Sequence, residues 1–207
     1  MSVKLSICIP LWNQEELIIK ALDSIPRRDD IEVIVRDDAS TDRSLAVARQ
    51  YKTEHPDLNL RVYGNKKNRG VTGNQNKLLD DIKGEYYHFL GNDDYLYTDK
   101  YNEVIDMIDG EYDIYYINLR INDGSLIVVD WSSCTCPVAD TIKFVRTSFA
   151  KGLRYREDRQ VDGDAIYNQE LLARNPKCKF TNITAYHYNY PRKGSVMDNY
   201  FKSLGFG

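Results

Sequence analysis

Short apolar segments alternate with amphipathic ones along the first half of the chain. The pattern predicts strands over residues 5–9, 31–35, 58–62 and 86–90, and helices over residues 13–25, 41–51, 72–82 and 101–108. Asn13 precedes the first helix and Glu16 follows three residues later, the spacing of a capping box, so Asn13 is predicted as the N-cap. Strands that alternate with helices in this way indicate βαβ units and a parallel sheet.

The second half of the chain has a different pattern. It predicts strands over residues 112–119 and 126–129, a helix over 164–174, and strands over 178–182 and 185–190. Asn122-Asp123-Gly124, between the first two of these strands, is a hairpin signal. We therefore expect a single α/β domain over residues 1–207, with a mixed central sheet flanked by helices and a loop-rich C-terminal portion.

Composition describes an ordinary globular protein with an uneven charge distribution. The 207 residues are 42% hydrophobic and 29% charged, and the net charge of −3 argues against general nucleic-acid binding. Nine acidic residues and one lysine lie between Glu85 and Asp113, whereas six basic and two acidic residues lie between Thr141 and Gln160. These regions are interpreted either as two solvated faces or as an acidic metal region beside a basic lip that meets an anionic ligand.

The sequence also bears on location and on zinc. No apolar run approaches the ~20 residues that cross a bilayer, and residues 1–4 lack a signal-peptide pattern. We expect a cytoplasmic protein, with peripheral contact at the inner face of a membrane left open. Cys134 and Cys136 have no second Cys or His pair at zinc spacing, so a zinc site is not favoured.

Polar side chains follow three of the predicted parallel strands. Trp12-Asn13 follows the first strand, Asp37-Asp38 the second and Asn92-Asp93-Asp94 the fourth. Because ligands bind outside the carboxyl ends of such strands, these groups are expected to meet along one rim. Neither common glycine-rich phosphate loop is present, so a bound diphosphate would need a divalent metal on carboxylates. Taken singly, the acidic segments are also explained as turns, and Trp12 as the cover of a core edge.

The ordered combination of these segments resembles glycosyltransferase family 2, whose members have the GT-A fold. Ser6-Ile7-Cys8-Ile9-Pro10-Leu11-Trp12-Asn13-Gln14-Glu15 looks like the family's opening, and residues 35–42 are similar to its V-D-D-G-S-T-D segment. Further matches in order and spacing are Asn68-Arg69-Gly70-Val71, Lys83-Gly84-Glu85-Tyr86 and Phe89-Leu90-Gly91-Asn92-Asp93-Asp94. The likeness covers residues 3–115 and, more weakly, residues 150–197.

The resemblance implies an activity and a division of the chain. A GT-A-like, Rossmann-type domain would transfer a sugar from a nucleotide sugar, with UDP as the expected nucleotide, to an acceptor hydroxyl with inversion. Residues 1–115 would bind the nucleotide sugar and residues 116–207 the acceptor, whose class stays open among saccharides, lipid-linked molecules and other hydroxyl compounds. The implied cofactor is Mn²⁺ or Mg²⁺.

Residue roles are carried over by position in the family pattern. The residues implied to contact the donor are Pro10, Trp12, Glu15, Asp37, Asp38, Asn76, Lys77 and Asn92. Within this set, Trp12 would stack on the base and Asp38 would accept a hydrogen bond from a uracil imide. Asp93 matches the last acid of the family's D-x-D and would ligate the metal, with Asp94 and His187 as further candidates. A structural role among aromatic residues is the alternative for His187.

The resemblance nominates Asp164 as the general base. Gly163-Asp164-Ala165-Ile166-Tyr167-Asn168 fits the frame in which the family carries an acidic residue at a helix start. A sugar hydroxyl is a poor nucleophile and needs its proton removed as it attacks, which a positioned carboxylate does. Glu157, Asp158 and Asp162 are lesser candidates, and helix capping is the alternative role of Asp164.

Two glycines depart from the family pattern. Gly91 replaces the first acid of D-x-D, and Gly163 replaces the acid that usually precedes the base. They leave open a GT-A-like module that binds nucleotide sugars without catalysis. A nucleotidyltransferase could share the sheet and the metal, but it would be expected to carry a glycine-rich basic loop after the first strand, and residues 11–14 have none.

Overall fold

The computed structural model describes residues 2–129, 139–160, 162–190 and 192–193. The helices are α1 (Ile18–Asp23), α2 (Ser44–Glu54), α3 (Gly70–Asp81), α4 (Thr98–Met107) and α5 (Gly163–Leu172). The strands are β1 (Leu5–Leu11), β2 (Ile31–Asp37), β3 (Leu60–Gly64), β4 (Tyr86–Phe89), β5 (Tyr95–Leu96), β6 (Ile114–Ile121), β7 (Leu126–Ile127), β8 (Lys143–Arg146) and β9 (Cys178–Tyr188). A 3₁₀ turn, Asp140–Ile142, leads into β8. Cys134 and Cys136 lie outside the described residues.

The strands form one mixed sheet in the order β3-β2-β1-β4-β8-β6-β9-β5, with β7 paired to β6. The first four are parallel, β8 runs antiparallel between β4 and β6, and β9 is parallel to β6. The predicted α/β class and mixed sheet are confirmed. No helix among the described residues combines the length and apolar composition that crossing a bilayer requires.

The central strands are buried because their apolar residues run continuously rather than alternately. Leu5, Ile7, Cys8, Ile9 and Leu11 all have 0% exposure in β1. Such runs fit parallel strands that are covered on both faces, and they explain why β1, β2 and β4 were predictable from composition alone. Helix α3 packs against β1 and β2, and α4 packs against β9.

The predicted N-cap at Asn13 is wrong. Helix α1 begins at Ile18, and its N-cap position is Leu17, which makes no side-chain cap bond. Asn13 instead has a positive φ of 49°, and its Oδ1 accepts a hydrogen bond from Thr41 N at 2.8 Å. The side chain therefore joins two loops across the sheet edge, a non-local bond that the local capping-box spacing cannot indicate.

The C-terminal sheet also differs from the prediction. Strand β9 is continuous where two strands were predicted. Asn182, with a φ of 57°, lies inside this strand, where the pairing with β6 is irregular. Strands β5 and β8 were not predicted at all, being two and four residues long. The hairpin of β6 and β7 is as predicted, with Gly124 at a φ of 88° in its turn.

A buried carboxylate, Glu32 of β2, joins three segments at the amino-terminal side of the sheet. Its Oε1 accepts from Ser6 Oγ at 2.5 Å and from Lys83 N at 2.8 Å, and its Oε2 accepts from an Arg61 amine at 2.7 Å. Glu32 is 2% exposed, so these partners compensate for the loss of its hydration.

Glu32→Leu is expected to lower the free energy of unfolding by about 3 kcal/mol, because it removes the carboxylate that pairs with Arg61 and the nearer acceptor of the Lys83 amide. Chemical denaturation followed by circular dichroism measures this loss. Asp57→Ala serves as the control, because it removes only the surface ion pair to Arg27 and should cost less than about 1 kcal/mol. Equal losses in the two variants would contradict the assigned role of Glu32.

Candidate functional site

The carboxyl ends of β1, β2 and β4 meet as the sequence pattern predicts. Leu11 lies opposite Asp37 in the sheet register, and Cys8 lies opposite Phe89. Beyond the strands, Asp38 N donates to the Leu11 carbonyl at 2.8 Å. Asn92 Nδ2 donates to the Pro10 carbonyl at 2.7 Å, which holds the turn after β4 against the end of β1.

The loops after β1 and β2 are interlocked. Asn13 N donates to Ser40 Oγ at 2.9 Å, while Thr41 N donates to Asn13 Oδ1. Asn13 and Ala39 both have a positive φ, a conformation that costs energy in a residue other than glycine and recurs at functional sites. Trp12 extends from this junction with 51% of its surface exposed, so its ring is accessible to a ligand.

Asp37, the last residue of β2, and Asp38, which follows it, are both buried. Arg69 N lies 2.9 Å and 3.0 Å from the two carboxylate oxygens of Asp38, and Asn65 Nδ2 donates to Oδ1 at 2.8 Å. Asp37 Oδ2 accepts from Ser40 N at 3.0 Å. Asp37 Oδ1 is buried and has no hydrogen-bond partner within the described part of the chain. One carboxylate oxygen of Asp37 therefore has no hydrogen bond, whereas both oxygens of Asp38 are held by Asn65 and Arg69, which precede α3.

Three predicted donor contacts have protein partners in this structure. Glu15 Oε2 accepts from Arg43 N at 2.8 Å, just before α2. Asn76 bonds both backbone groups of Tyr155, at 2.8 Å and 2.9 Å. Lys77 forms an exposed ion pair with the carboxylate three residues later, at 3.2 Å. Their donor-binding roles stay predictions.

Asp93 and Asp94 have opposite environments. Asp93 Oδ2 accepts from Arg192 Nε at 2.7 Å, and its side chain is 20% exposed. Asp94 is 2% exposed; its Oδ1 accepts from Asn189 N at 2.8 Å, and its Oδ2 accepts from the Tyr186 hydroxyl. Burial and, secondarily, the neighbouring Asp93 raise the pKa of Asp94 to about 7. Asp94 is thus held inside the protein, and Asp93 lies at the surface.

His187 is held by neighbours on every side. Its ring stacks on Tyr95 with centroids 4.2 Å apart. Nε2 contacts Asn122 Oδ1 at 2.9 Å, Nδ1 contacts the Tyr97 hydroxyl at 3.1 Å, and burial lowers the pKa of His187. The part of the chain that the structure describes brings no three His, Cys, Asp or Glu side chains together as a metal site. The metal roles of Asp94 and His187 stay predictions, and the accessible candidate is Asp93.

The structure gives a steric reason for Gly91. A Cβ atom at this position would lie 2.3 Å from Asp94 Oδ2 and 3.3 Å from the Tyr186 hydroxyl. Gly91 N also donates to the same hydroxyl at 3.0 Å. The buried carboxyl group of Asp94 therefore leaves no room for an acid at position 91, the first position of D-x-D.

Asp164 lies in the first turn of α5 and lines a cavity of about 270 Å³. The side chain is half-buried, and its Oδ1 accepts from Ala165 N at 2.8 Å. Burial and, secondarily, the charge of Asp140 raise the pKa of Asp164. A carboxylate with a raised pKa is a stronger base than one in water, so the geometry is compatible with proton abstraction.

The other three candidate bases form exposed ion pairs with arginines. The pairs are Glu157 with Arg69, Asp158 with Arg156, and Asp162 with Arg159. These arginines hold the pKa values of Asp158 and Asp162 below their usual range. Asp164 therefore differs from all three in lining the cavity, and from Asp158 and Asp162 in the direction of its pKa shift.

Asp140 is a cavity residue that the sequence analysis missed. It is 7% exposed, and its Oδ2 accepts from Gln75 Nε2 at 3.0 Å and from the Tyr155 hydroxyl at 2.8 Å. Its carboxylate also lies 3.5 Å from Lys143 Nζ. No local signal marks it, because its partners come from α3, from β8 and from the segment before α5.

The family assignment follows from the sequence of most of the chain. A sequence model described as Glycosyl transferase family 2 matches residues 6–174. The chain belongs to this family. The strand ends and Asp164 all lie within the matched residues, whereas Arg192 lies beyond them.

Relatives in glycosyl transferase family 2 include two bacterial enzymes. Poly(ribitol-phosphate) beta-N-acetylglucosaminyltransferase TarS of Staphylococcus aureus (strain Mu50 / ATCC 700699) is 24% identical, over 97% of this chain and 38% of TarS. UDP-Glc:alpha-D-GlcNAc-diphosphoundecaprenol beta-1,3-glucosyltransferase WfaP of Escherichia coli is 27% identical, over 96% of this chain and 82% of WfaP. The chain thus spans little more than a third of TarS.

Solved structures agree with the GT-A fold. The crystal structure of S. aureus TarS 1–349 in complex with UDP-GlcNAc has a TM-score of 0.80 and 23% identity, covering 94% of this chain and 60% of that one. The mannosyltransferase PcManGT from Pyrobaculum calidifontis, in complex with GDP-Man and Mn²⁺, has a TM-score of 0.70 and 19% identity, covering 100% of this chain and 66% of that one. The predicted GT-A-like fold is confirmed.

Gly91→Asp, which rebuilds the letters of D-x-D, is expected to lower the melting temperature without creating a metal site. The new side chain would overlap Asp94, and overpacking of this kind costs about 1–3 kcal/mol. Differential scanning fluorimetry with and without Mn²⁺ measures both effects. Ala46→Asp on the exposed face of α2 controls for an added carboxylate and should change stability little. An unchanged melting temperature with a new Mn²⁺-dependent increase for Gly91→Asp would contradict this explanation.

Proposed function

We propose that this chain is an inverting glycosyltransferase domain that moves a sugar from a UDP-sugar to an acceptor hydroxyl, with Asp164 as the general base. The observation that carries the proposal is the position of the Asp164 cavity, which lies between the segment that contains Asp38 and the turn that contains Asp94. Arg69, at the N-cap of α3, bonds Asp38, and residues of the next turn of α3 line the cavity. Tyr186 and Asn189 hold Asp94, and Tyr188 lines the cavity between them.

The reaction is a single displacement at the anomeric carbon. The acceptor oxygen forms a bond to that carbon while the bond to the diphosphate oxygen breaks, and the acceptor proton passes to the Asp164 carboxylate. Attack opposite the leaving group inverts the anomeric centre. The raised pKa of Asp164 favours proton uptake during this step, in which a positioned base contributes about 10²–10⁴-fold.

UDP as the nucleotide is supported by the relatives and by the rim. TarS is solved with UDP and with UDP-GlcNAc, and the name of WfaP specifies UDP-Glc. On this chain, the exposed ring of Trp12 would stack on the base. Asp38 would accept a hydrogen bond from the uracil imide and Asp37 would support it, both from buried positions at the end of β2. Residues 1–115 form the donor part in this proposal.

Residues 116–207 form the acceptor part in this proposal. The name of WfaP specifies a saccharide linked to diphosphoundecaprenol, and that of TarS specifies poly(ribitol-phosphate). We propose an acceptor of this general kind, a hydroxyl on a lipid-linked saccharide or a polymer, met by a protein in the cytoplasm or at the inner face of a membrane.

A divalent metal, Mn²⁺ or Mg²⁺, fits this site when it is shared with the donor. Mg²⁺ in particular is commonly held by one or two carboxylates together with substrate phosphates, so a site with one accessible carboxylate is sufficient. Asp93 is that carboxylate, and Arg192 is a cation already placed against it. When bound, the metal would neutralise charge on the leaving diphosphate. The Mn²⁺ complex of PcManGT supports this assignment by fold alone.

UDP is expected to bind more tightly with Mn²⁺ or Mg²⁺ than in EDTA, because the diphosphate needs a cation beyond those that the chain supplies. Isothermal titration calorimetry of UDP under both conditions measures the difference, and Asp93→Asn should abolish it. Equal UDP affinity with and without metal would remove the metal from the proposal.

In the presence of metal, CDP and GDP should compete less well than UDP, because losing a hydrogen bond to a charged acceptor costs about 1.5–3 kcal/mol.

Asp164→Asn is expected to reduce transfer by about 10²–10⁴-fold, because it preserves the shape and capping ability of the side chain but not its basicity. Turnover of a panel of UDP-sugars with lipid-linked and polymer acceptors measures this, and UDP affinity and melting temperature should barely change. Glu157→Gln and Asp158→Asn are matched controls that should retain most activity. Near-normal turnover in Asp164→Asn, with one of the controls inactive, would assign the base to another residue.

A wild-type chain that binds UDP-sugars but never turns them over would favour the alternative function, a GT-A-like module that binds nucleotide sugars without catalysis.

A further inference from the structure

Asp140 is a buried carboxylate that joins four parts of the fold at the edge of the cavity. It is 7% exposed and lines the cavity. Its Oδ2 accepts from Gln75 Nε2 of α3 at 3.0 Å and from the Tyr155 hydroxyl at 2.8 Å. Its Oδ1 accepts from Asn168 Nδ2 of α5 at 3.4 Å, and Lys143 Nζ of β8 lies 3.5 Å away. All four partners present N–H or O–H groups, which suits an ionised carboxylate, because such a group can only accept.

Asn168 connects this carboxylate to the first turn of α5. Its Nδ2 also donates to the Asp164 carbonyl at 2.8 Å, so one amide group bonds both Asp140 and the backbone of Asp164. A second connection runs through Tyr155, whose ring stacks on Tyr167 of α5 with centroids 4.2 Å apart. The position of Asp164 in the cavity therefore depends on contacts that end at the Asp140 carboxylate.

The turn that carries Asp140 is attached to β4. His88 of β4 has 0% exposure; its Nε2 lies 2.9 Å from the Thr141 carbonyl, and its Nδ1 lies 2.7 Å from the Tyr101 hydroxyl. Because a carbonyl only accepts, Nε2 carries the proton and Nδ1 accepts from Tyr101. Burial lowers the pKa of His88 to about 4, so the neutral ring keeps both bonds above that pH. Asp140 is thus attached to the central sheet as well as to α5.

The charge of Asp140 also acts on Asp164. Burial and then the charge of Asp140 raise the pKa of Asp164, and the Ala165 amide and Lys143 oppose them. Tyr188 is the other titratable side chain that lines the cavity, and burial raises its pKa to about 12, so it is uncharged at neutral pH. The residues that line the cavity from α3 and from the segment before α5 are uncharged. Asp140 is therefore the side chain whose charge makes Asp164 a stronger base.

We propose that Asp140 is a positioning residue for the transfer step: its carboxylate joins α5 to α3 and to β4, and it holds the Asp164 carboxylate in the cavity beside a second negative charge. The inference rests on the proposed function, in which Asp164 takes the acceptor proton. Asp140 acts through Asp164 and does not exchange a proton with the acceptor. This role accounts for a buried acid that the donor, metal and base assignments leave unused.

Asp140→Asn is the deciding variant, because it keeps the size of the side chain and removes its charge. Turnover should fall by about ten- to a hundredfold through misplacement of the base, and UDP affinity should be unchanged. The base acts only when unprotonated, so activity is lost as the pH falls through the pKa of Asp164. Removing a nearby negative charge lowers that pKa, and the acid limb of the pH–rate profile should move to lower pH by about half a pH unit or more.

The pKa of Asp164 is also measured without turnover. Carbon-13 NMR of the side-chain carboxyl carbons, in protein labelled with ¹³C-aspartate, follows the titration, and Asp164→Asn assigns the signal. Asp140→Asn should lower this pKa. Lys143→Met is the second variant: it removes the cation that opposes Asp140 and should raise the pKa of Asp164. Opposite shifts in the two variants are not expected from a loss of packing alone, and Lys143→Met decides the question if Asp140→Asn does not fold.

Glu32→Gln is the matched control. Glu32 is also a buried carboxylate paired with a cation, but it lies at the amino-terminal side of the sheet and does not line the cavity. Glu32→Gln and Asp140→Asn should both lower the melting temperature. The acid limb of the pH–rate profile and the pKa of Asp164 should stay at their wild-type values in Glu32→Gln.

The inference is overturned if Asp140→Asn and Lys143→Met leave the pKa of Asp164 at its wild-type value, or if Asp140→Asn keeps wild-type turnover. It is equally overturned if Glu32→Gln moves the titration as far as Asp140→Asn does. Failure of the proposed function is a different result, because turnover would then be absent in the wild-type chain or unaffected in Asp164→Asn. The NMR titration reports on Asp140 in either case.

Discussion

Asp94 is a carboxyl group with almost no access to solvent, and such a group is costly unless hydrogen bonds replace its hydration. Its partners come from β9 and from the chain that follows it, about a hundred residues away in the sequence. The turn after β4 can therefore take its present form only when β9 is in place. Gly91 follows from the same constraint, because the Asp94 carboxyl and the Tyr186 hydroxyl leave no room for a side chain.

The same constraint separates two neighbouring acids. With Asp94 directed inward, Asp93 lies at the surface against Arg192. Burial and, secondarily, the charge of Asp93 raise the pKa of Asp94 to about 7, so Asp93 is the accessible acid of this turn. Gly91 stands at the first position of D-x-D, and Asp94 is the buried acid of the same turn. These two features are thus one structural arrangement rather than two separate changes.

The sequence was sufficient for the parallel half of the sheet, because β1, β2 and β4 consist mostly of apolar residues and their polar ends meet at one edge. It was insufficient wherever structure depends on distant partners. Strand β8 is four residues with charged ends, and it is defined by pairing with β4 and β6. Asp140 and Gln75 show the same limit within the candidate site. Each is an unremarkable polar residue until the other, 65 positions away, lies beside it.

The sheet order has a consequence for synthesis of the chain. Strands β3, β2, β1 and β4 are all complete by residue 89, so this parallel unit can form while the ribosome is still translating the remainder. Strand β6, in contrast, is made before its sheet neighbours β8 and β9, and until they emerge it pairs with β7 near its carboxyl end and has no partner along the rest of its length. A nascent chain therefore exposes an apolar strand edge for most of the second half of translation, the interval in which chaperone contact or aggregation competes with folding.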